Sequence, residues 1–278
     1  MDFVIDGLRY YVDLWDSPPS NQDNAFPLLL LHGFTGSAPS WRKFETQWSP
    51  ASKVFAIDIV GHGRTDSPLE TSRYNIESVA KDLNELMDRM GMEQADILGY
   101  SMGGRLALTF AINYPERVRK LILESSSPGL EKEAEREARR IQDEKLATRI
   151  QQDGIQSFVD YWEDIPLFQS QKQLPENVRS EIRNERLGNS AIGLINSLKG
   201  MGTGAQPSWW DKLEGYVGPT LLLTGSLDEK FCEIAKKMQQ HLKNASFITI
   251  LECGHSIHVE KPKIFGTIVN EFLLNDKG

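Results

Sequence analysis

The chain is 278 residues long, 40% apolar and 25% charged, a composition that supplies a sizeable core and excludes disorder, collagen and a disulfide scaffold. Its longest purely aliphatic stretch is Leu28–Leu31, where a membrane-spanning helix needs about 20 apolar residues. A net charge of −8 argues against non-specific nucleic-acid binding.

The N-terminus Met1-Asp2-Phe3-Val4-Ile5-Asp6 lacks the basic start and long apolar stretch of a signal peptide. The two cysteines, Cys232 and Cys253, suit a reducing, cytoplasmic setting. Residues 3–5 and 8–14 read as a hairpin turning at Asp6-Gly7. The stretch 16–25 is rich in Ser, Pro, Asn and Asp and reads as a loop. Short apolar runs follow at 27–31, 53–57, 94–98, 118–123, 219–224 and 246–251. None alternates with polar residues, as expected of strands covered on both faces of a parallel sheet. Between several of them lie helix-period segments at 76–90, 102–114 and 229–242, and another closes the chain at 261–274. This alternation predicts an α/β, doubly wound architecture.

The alternation stops between Ser125 and Gly218. Residues 129–208 read as a helical, charge-rich insertion after the sixth strand, a lid over the C-terminal edge of the sheet. The core would then be 1–128 and 209–278. The charges of 131–149 read mostly as a solvated face with intrahelical pairs.

The chemistry centres on Gly99-Tyr100-Ser101-Met102-Gly103, which follows an apolar run and precedes a helix-period segment. In that context G-x-S-x-G describes a strained strand-to-helix turn that presents a serine hydroxyl at the sheet edge. Such a serine needs a base, and a carboxylate to orient that base. His255 follows the last run and Asp228 the one before it, both where open α/β sheets place their sites. The order Ser…Asp…His is that of the α/β hydrolases. Of the other histidines, His62 sits in a Gly61-His62-Gly63 turn, His241 on a surface helix, and His258 reads as support for the His255 loop. His32-Gly33-Phe34 follows the run 27–31; in that place the Phe34 N–H pairs with the Met102 N–H as an oxyanion hole. The turn from Asp58 to Ser67 reads as structural.

Over nearly its whole length the sequence resembles the α/β-hydrolase-fold proteins, on His32-Gly33, Gly61-His62-Gly63, Gly99-Tyr100-Ser101-Met102-Gly103-Gly104, Asp228 and Gly254-His255. The fold hosts many chemistries. A narrower resemblance rests on Gly99 to Arg105, on Glu124-Ser125-Ser126-Ser127-Pro128-Gly129-Leu130 and on the Arg-rich segment after it. These are similar to the menaquinone-pathway 2-succinyl-6-hydroxy-2,4-cyclohexadiene-1-carboxylate synthases. That resemblance implies a lyase that eliminates pyruvate from a tricarboxylate, 2-succinyl-5-enolpyruvyl-6-hydroxy-3-cyclohexene-1-carboxylate, with no metal or organic cofactor. It implies substrate-binding roles for Tyr100, Arg105, Arg139, Trp162 and Arg186, with Arg183 competing for the last place. By position alone, Arg105 is a partly exposed arginine with its stem packed on the surface, and Trp162 is lid core. Guanidinium groups suit a tricarboxylate because they bind carboxylates bidentately. A hydrolase of esters, or of C–C bonds beside a ketone, would use the same triad. A catalytically idle receptor on this fold would have no need of it.

Overall fold

The computed structural model describes residues 1–15 and 26–275; the loop expected at 16–25 lies outside the described residues. Eight strands form one sheet: β1 Asp2–Ile5, β2 Leu8–Trp15, β3 Leu28–Leu31, β4 Val54–Ile57, β5 Ala95–Tyr100, β6 Val118–Glu124, β7 Thr220–Gly225 and β8 Ala245–Ile250. Their spatial order is β1-β2-β4-β3-β5-β6-β7-β8. The β1–β2 and β2–β4 pairs are antiparallel, and the pairs β4–β3, β3–β5, β5–β6, β6–β7 and β7–β8 are parallel. The first hairpin turns at Asp6 (φ 43°) and Gly7 (φ 77°), the doubly positive turn whose twist matches paired strands.

The aliphatic strands alternate between two cores. Leu29, Leu31, Ile97, Leu121 and Leu123 face a cluster built with helices α1 Ile76–Arg89, α2 Met102–Asn113 and α6 Glu229–His241. Leu28, Leu30, Leu98, Ile122, Leu221 and Leu223 face the other, with Trp41, Phe44, Trp48 and helix α7 Pro262–Leu274. Both faces are therefore apolar, which explains the missing alternation.

β8 departs from that expectation. It pairs only with β7, and of its residues only Ile250 is buried. An edge strand needs no apolar cover on both faces, so the run at 246–251 overstated its burial.

Between β6 and β7 the chain leaves the sheet for α3 Glu133–Glu163, the 3-10 segment Pro166–Gln173, α4 Glu176–Leu187 and α5 Ala191–Met201. Helix α3 breaks at Gly154 (φ 79°, ψ 171°). Ala147, Ile150, Phe158, Val159, Leu194 and Leu198 give these helices a small core of their own, with Phe34 and Trp162 at its border. Cys232 and Cys253 are free and buried. Among the described residues, no helix is long and apolar enough to cross a membrane.

Candidate active site

Strand order reverses between β3 and β5, and ligands of open α/β sheets bind beyond the strand ends at such a switch point. β3 leads into His32-Gly33-Phe34 and β5 into Ser101, with Leu31 registered against Gly99. Ser101 sits at φ 51°, ψ −105°, a strained conformation for a residue bearing a side chain. Its N–H donates to the Glu124 carbonyl. The flanking glycines are required by close approach: a Cβ on Gly99 would lie 2.4 Å from the Gly103 carbonyl, and one on Gly103 2.3 Å from that of Leu31.

Residues far apart in the chain meet here. His255 Nε2 lies 3.0 Å from Ser101 Oγ, and His255 Nδ1 lies 2.6 Å from Asp228 Oδ2. His255 and Asp228 are buried, and the two loops are tied by the Leu227 N–H donating to the Cys253 carbonyl. This geometry matches that of a serine, a histidine and an orienting carboxylate linked in a relay. The Phe34 and Met102 N–H groups donate to no protein acceptor among the described residues. Met102 opens α2, where backbone N–H groups are free and the helix dipole favours negative charge.

Ser101 and His255 open into a cavity of about 630 Å³, lined also by Phe34, Tyr100, Met102, Arg105, Arg139 and Trp162. Arg105 is buried, and its Nη1 donates to Gln206 Oε1 at 2.5 Å. Burial, reinforced by the charge of Arg139, pulls its guanidinium down to about 9, so it remains a cation at neutral pH. Arg139 Nε donates to Asp143 Oδ1 at 2.8 Å, and its Nη groups have no acceptor among the described residues. Burial raises the Asp143 carboxyl above its usual range, against the pull of Arg139. The Tyr100 hydroxyl lies 2.5 Å from Ser256 Oγ, and burial pushes it well above the ordinary phenol range. Trp162 stacks on Phe158 and meets Phe34 edge-on. Its buried Nε1–H has no hydrogen-bond partner among the described residues.

The structure places Arg186 and Arg183 elsewhere. Arg186 does not line this cavity. It borders a neighbouring one of about 560 Å³ that shares Phe34, Tyr100 and Phe168 with it. Arg186 is buried, lies over the Phe168 ring, donates to Gln171 Oε1 at 3.1 Å and faces Glu163 at 3.5 Å. Burial lowers its guanidinium pKa. Arg183 borders neither cavity and pairs with Asp160 and Glu163.

The other histidines are accounted for. His258 packs between Trp41 and Tyr100, and its Nδ1 lies 2.9 Å from both oxygens of the buried Glu124 carboxylate. His32 accepts the Ile59 N–H at Nε2, and burial lowers it to about 4. His62 is lowered to about 3 by burial and by His32. His241 lies on α6, half-exposed, beside Glu214. The Asp58 carboxylate accepts the Ala38 and Arg64 N–H groups, in keeping with a structural turn.

Sequence reasoning missed Phe168 and Phe231 as walls of the base. Their rings lie 6.2 and 4.7 Å from that of His255. Phe168 announces itself only as one lid aromatic among several, and Phe231 carries no signal beyond being three residues from Asp228. Ser125 lines the cavity at φ 46°, and its Oγ has no hydrogen-bond partner among the described residues. Among the described residues no three His, Cys, Asp or Glu side chains are grouped to hold a metal ion.

Fold and triad together define the class: the α/β hydrolase fold family matches residues 27–262. The chain is 47% identical over 97% of its length to a Bacillus subtilis (strain 168) protein, of which it covers 96%; that protein is provisionally named a 2-succinyl-6-hydroxy-2,4-cyclohexadiene-1-carboxylate synthase. The synthase of that name from Serratia proteamaculans (strain 568) is 26% identical over 89% of this chain and 93% of its own. Among solved structures, MenH from S. aureus superposes with a TM-score of 0.89 at 36% identity, covering 94% of this chain and 97% of that one. The chain belongs to the 2-succinyl-6-hydroxy-2,4-cyclohexadiene-1-carboxylate synthase family within the α/β hydrolases.

Proposed function

We propose that this protein is a carbon–oxygen lyase of menaquinone biosynthesis. It eliminates pyruvate from 2-succinyl-5-enolpyruvyl-6-hydroxy-3-cyclohexene-1-carboxylate to give 2-succinyl-6-hydroxy-2,4-cyclohexadiene-1-carboxylate. Family membership supports the reaction. The observation that carries it to this chain is one cavity holding both an aligned Ser101–His255–Asp228 relay and two arginines, Arg105 and Arg139. A neutral ester has no use for two cations beside the nucleophile; a tricarboxylate does.

The chemistry follows from the geometry. His255 Nε2 takes the Ser101 proton, and Asp228 stabilises the imidazolium through Nδ1. The Ser101 oxyanion removes the ring proton beside the succinyl ketone. The electron pair left on carbon spreads onto the ketone oxygen, which the Phe34 and Met102 N–H groups receive. In other enzymes one such donor is worth about 3–4 kcal/mol. The pair then returns to form the 2,3 double bond, the 3,4 double bond shifts to 4,5, and the C–O bond from C5 to the enolpyruvyl group breaks. The departing enolate takes the proton from His255 and becomes pyruvate. Ser101 ends as it began and forms no bond to carbon.

Arg105 and Arg139 hold substrate carboxylates in this scheme, with Tyr100 and Trp162 shaping the cavity wall. Arg186 serves the part of the substrate that reaches past Phe168. Residues 129–208 act as the lid, and the reaction belongs to the cytoplasm. The test is incubation of the purified protein with the enolpyruvyl substrate, with pyruvate followed by a coupled assay. Release of one pyruvate per substrate is expected, and its absence overturns the assignment.

A further inference from the structure

The turn that carries the Phe34 N–H contains an anomaly. The Gly36 N–H donates to the Gly33 carbonyl at 3.0 Å, closing a four-residue turn whose third residue is Thr35 at φ 68°. Turns with positive φ at that position take glycine or asparagine, and a β-branched residue there is a true outlier. Such strain persists only where the surroundings over-determine it. Thr35 is buried, and among the described residues its carbonyl accepts one side-chain donor, Asn189 Nδ2, at 2.8 Å.

Asn189 follows helix α4 of the insertion and is buried. Its Nδ2 also reaches the Glu185 carbonyl at 3.0 Å, in the last turn of α4. Its Oδ1 accepts the Gly63 N–H at 3.3 Å. One amide therefore joins the insertion, the oxyanion turn and the Gly61-His62-Gly63 turn. Glu185 Oε1 accepts the Ser37 and Ser40 hydroxyls at 2.6 Å each, but these hold the chain beyond the turn. Thr35 cannot return to negative φ without rotating the Phe34–Thr35 peptide and moving Phe34.

We propose that Asn189 is a positioning residue that makes the oxyanion hole depend on the lid: by holding the Thr35 carbonyl it keeps the turn in the form that aims the Phe34 N–H. The inference rests on the proposed role of Phe34, and it identifies a lid residue that acts on the reaction without touching substrate. Arg186 lies one helical turn earlier on the same segment, so a substrate anion that draws in α4 also seats Asn189.

The test uses Asn189→Ala and the near-isosteric Asn189→Asp, which still accepts from Gly63 but cannot donate to Thr35. Each is made alone and with Thr35→Gly, because glycine takes positive φ without enforcement. Two rates are read: pyruvate release from the enolpyruvyl substrate, and phosphonylation of Ser101 by a small neutral fluorophosphonate, whose phosphoryl oxygen needs the same hole. Loss of a whole oxyanion donor lowers kcat about 10²- to 10³-fold, so a misaimed one is expected to lower both rates about 10- to 100-fold. KM should change less than about threefold. Thr35→Gly should return each double variant to within about fivefold of the Thr35→Gly single variant, an outcome that general loosening of the fold does not produce. Unchanged rates in Asn189→Asp, or a loss that Thr35→Gly does not recover, overturns the proposal. If the wild-type protein releases no pyruvate, the proposed function fails, while the phosphonylation series still decides the role of Asn189.

Discussion

Replacing Arg105 by methionine keeps most of the apolar stem and removes the charge. The guanidinium is buried, has Gln206 Oε1 as its one hydrogen-bond acceptor among the described residues, and is held down to about 9 by burial and by Arg139, with Asp143 pulling the other way. That is a cation short of anionic partners, and a substrate carboxylate supplies one. A hydrogen bond involving a charged group contributes about 1.5–3 kcal/mol, so its loss lowers kcat/KM about 10- to 150-fold. Stability should move differently. Exchanging a buried, under-compensated charge for an apolar chain is often neutral or stabilising, offset here by about 1–3 kcal/mol for leaving Gln206 Oε1 unpaired. The expected signature is a large loss in pyruvate release with a urea midpoint close to wild type. Arg105→Lys should recover only part of the rate, because an ammonium lacks the bidentate fork. A folded Arg105→Met protein with wild-type kcat/KM on the tricarboxylate would refute the carboxylate-binding role.

The triad predicts that Ser101→Ala and His255→Ala each lower kcat by orders of magnitude in a folded protein, and that Asp228→Asn approaches the roughly 10⁴-fold loss seen where the same relay performs acyl transfer; near-native pyruvate release from Ser101→Ala sinks the assignment. Elimination predicts no covalent adduct on Ser101 by intact-protein mass spectrometry during turnover and no oxygen-18 incorporated from labelled water in the catalytic step, whereas a kinetically competent acyl-enzyme would move the protein to the hydrolases. Burial holds His62 down to about 3 against 6.5 in the unfolded chain, so as pH falls the unfolded state binds the proton first and stability present above pH 6.5 is lost, about 2 kcal/mol of it by pH 5; His62→Gln should shrink the pH 7 to pH 5 drop in urea stability by that amount, and an unchanged drop counts against it. A Cβ on Gly254 would lie 2.0 Å from Ser170 Oγ, so Gly254→Ala should lower kcat and speed proteolysis of the 166–173 segment, with Ser170→Gly restoring both; full activity in Gly254→Ala alone would mean that the lid does not seat on this loop.

Much of the protein is legible without coordinates because its signals are local. Leu28–Leu31 and Thr220–Gly225 announce buried parallel strands, since apolar side chains on both faces erase the alternation. Gly99 and Gly103 mark the elbow because a tight strand-to-helix turn excludes Cβ atoms at just those positions. Ser101, Asp228 and His255 each follow a strand, so the sheet itself brings their loops to one edge.

What only the tertiary structure decided concerns contacts between segments that carry no mutual signal. Arginines of the 129–208 insertion that pair with solvent-facing carboxylates and those that turn inward stand in similar sequence surroundings at similar spacing. Arg183 and Arg186 differ by three residues, yet one pairs at the surface and the other is buried over Phe168, because their directions depend on how α4 crosses the 166–173 segment. Arg105 turned out buried rather than surface-packed because Gln206, 101 residues away, meets it. The Glu124–His258 pair, the Phe231 wall and the Asn189–Thr35 bond likewise join residues that are neighbours only once helices pack on the sheet. β8 shows the converse: its apolar residues promised two covered faces, but burial at a sheet edge is set by what packs beyond the last strand, and no local pattern records that.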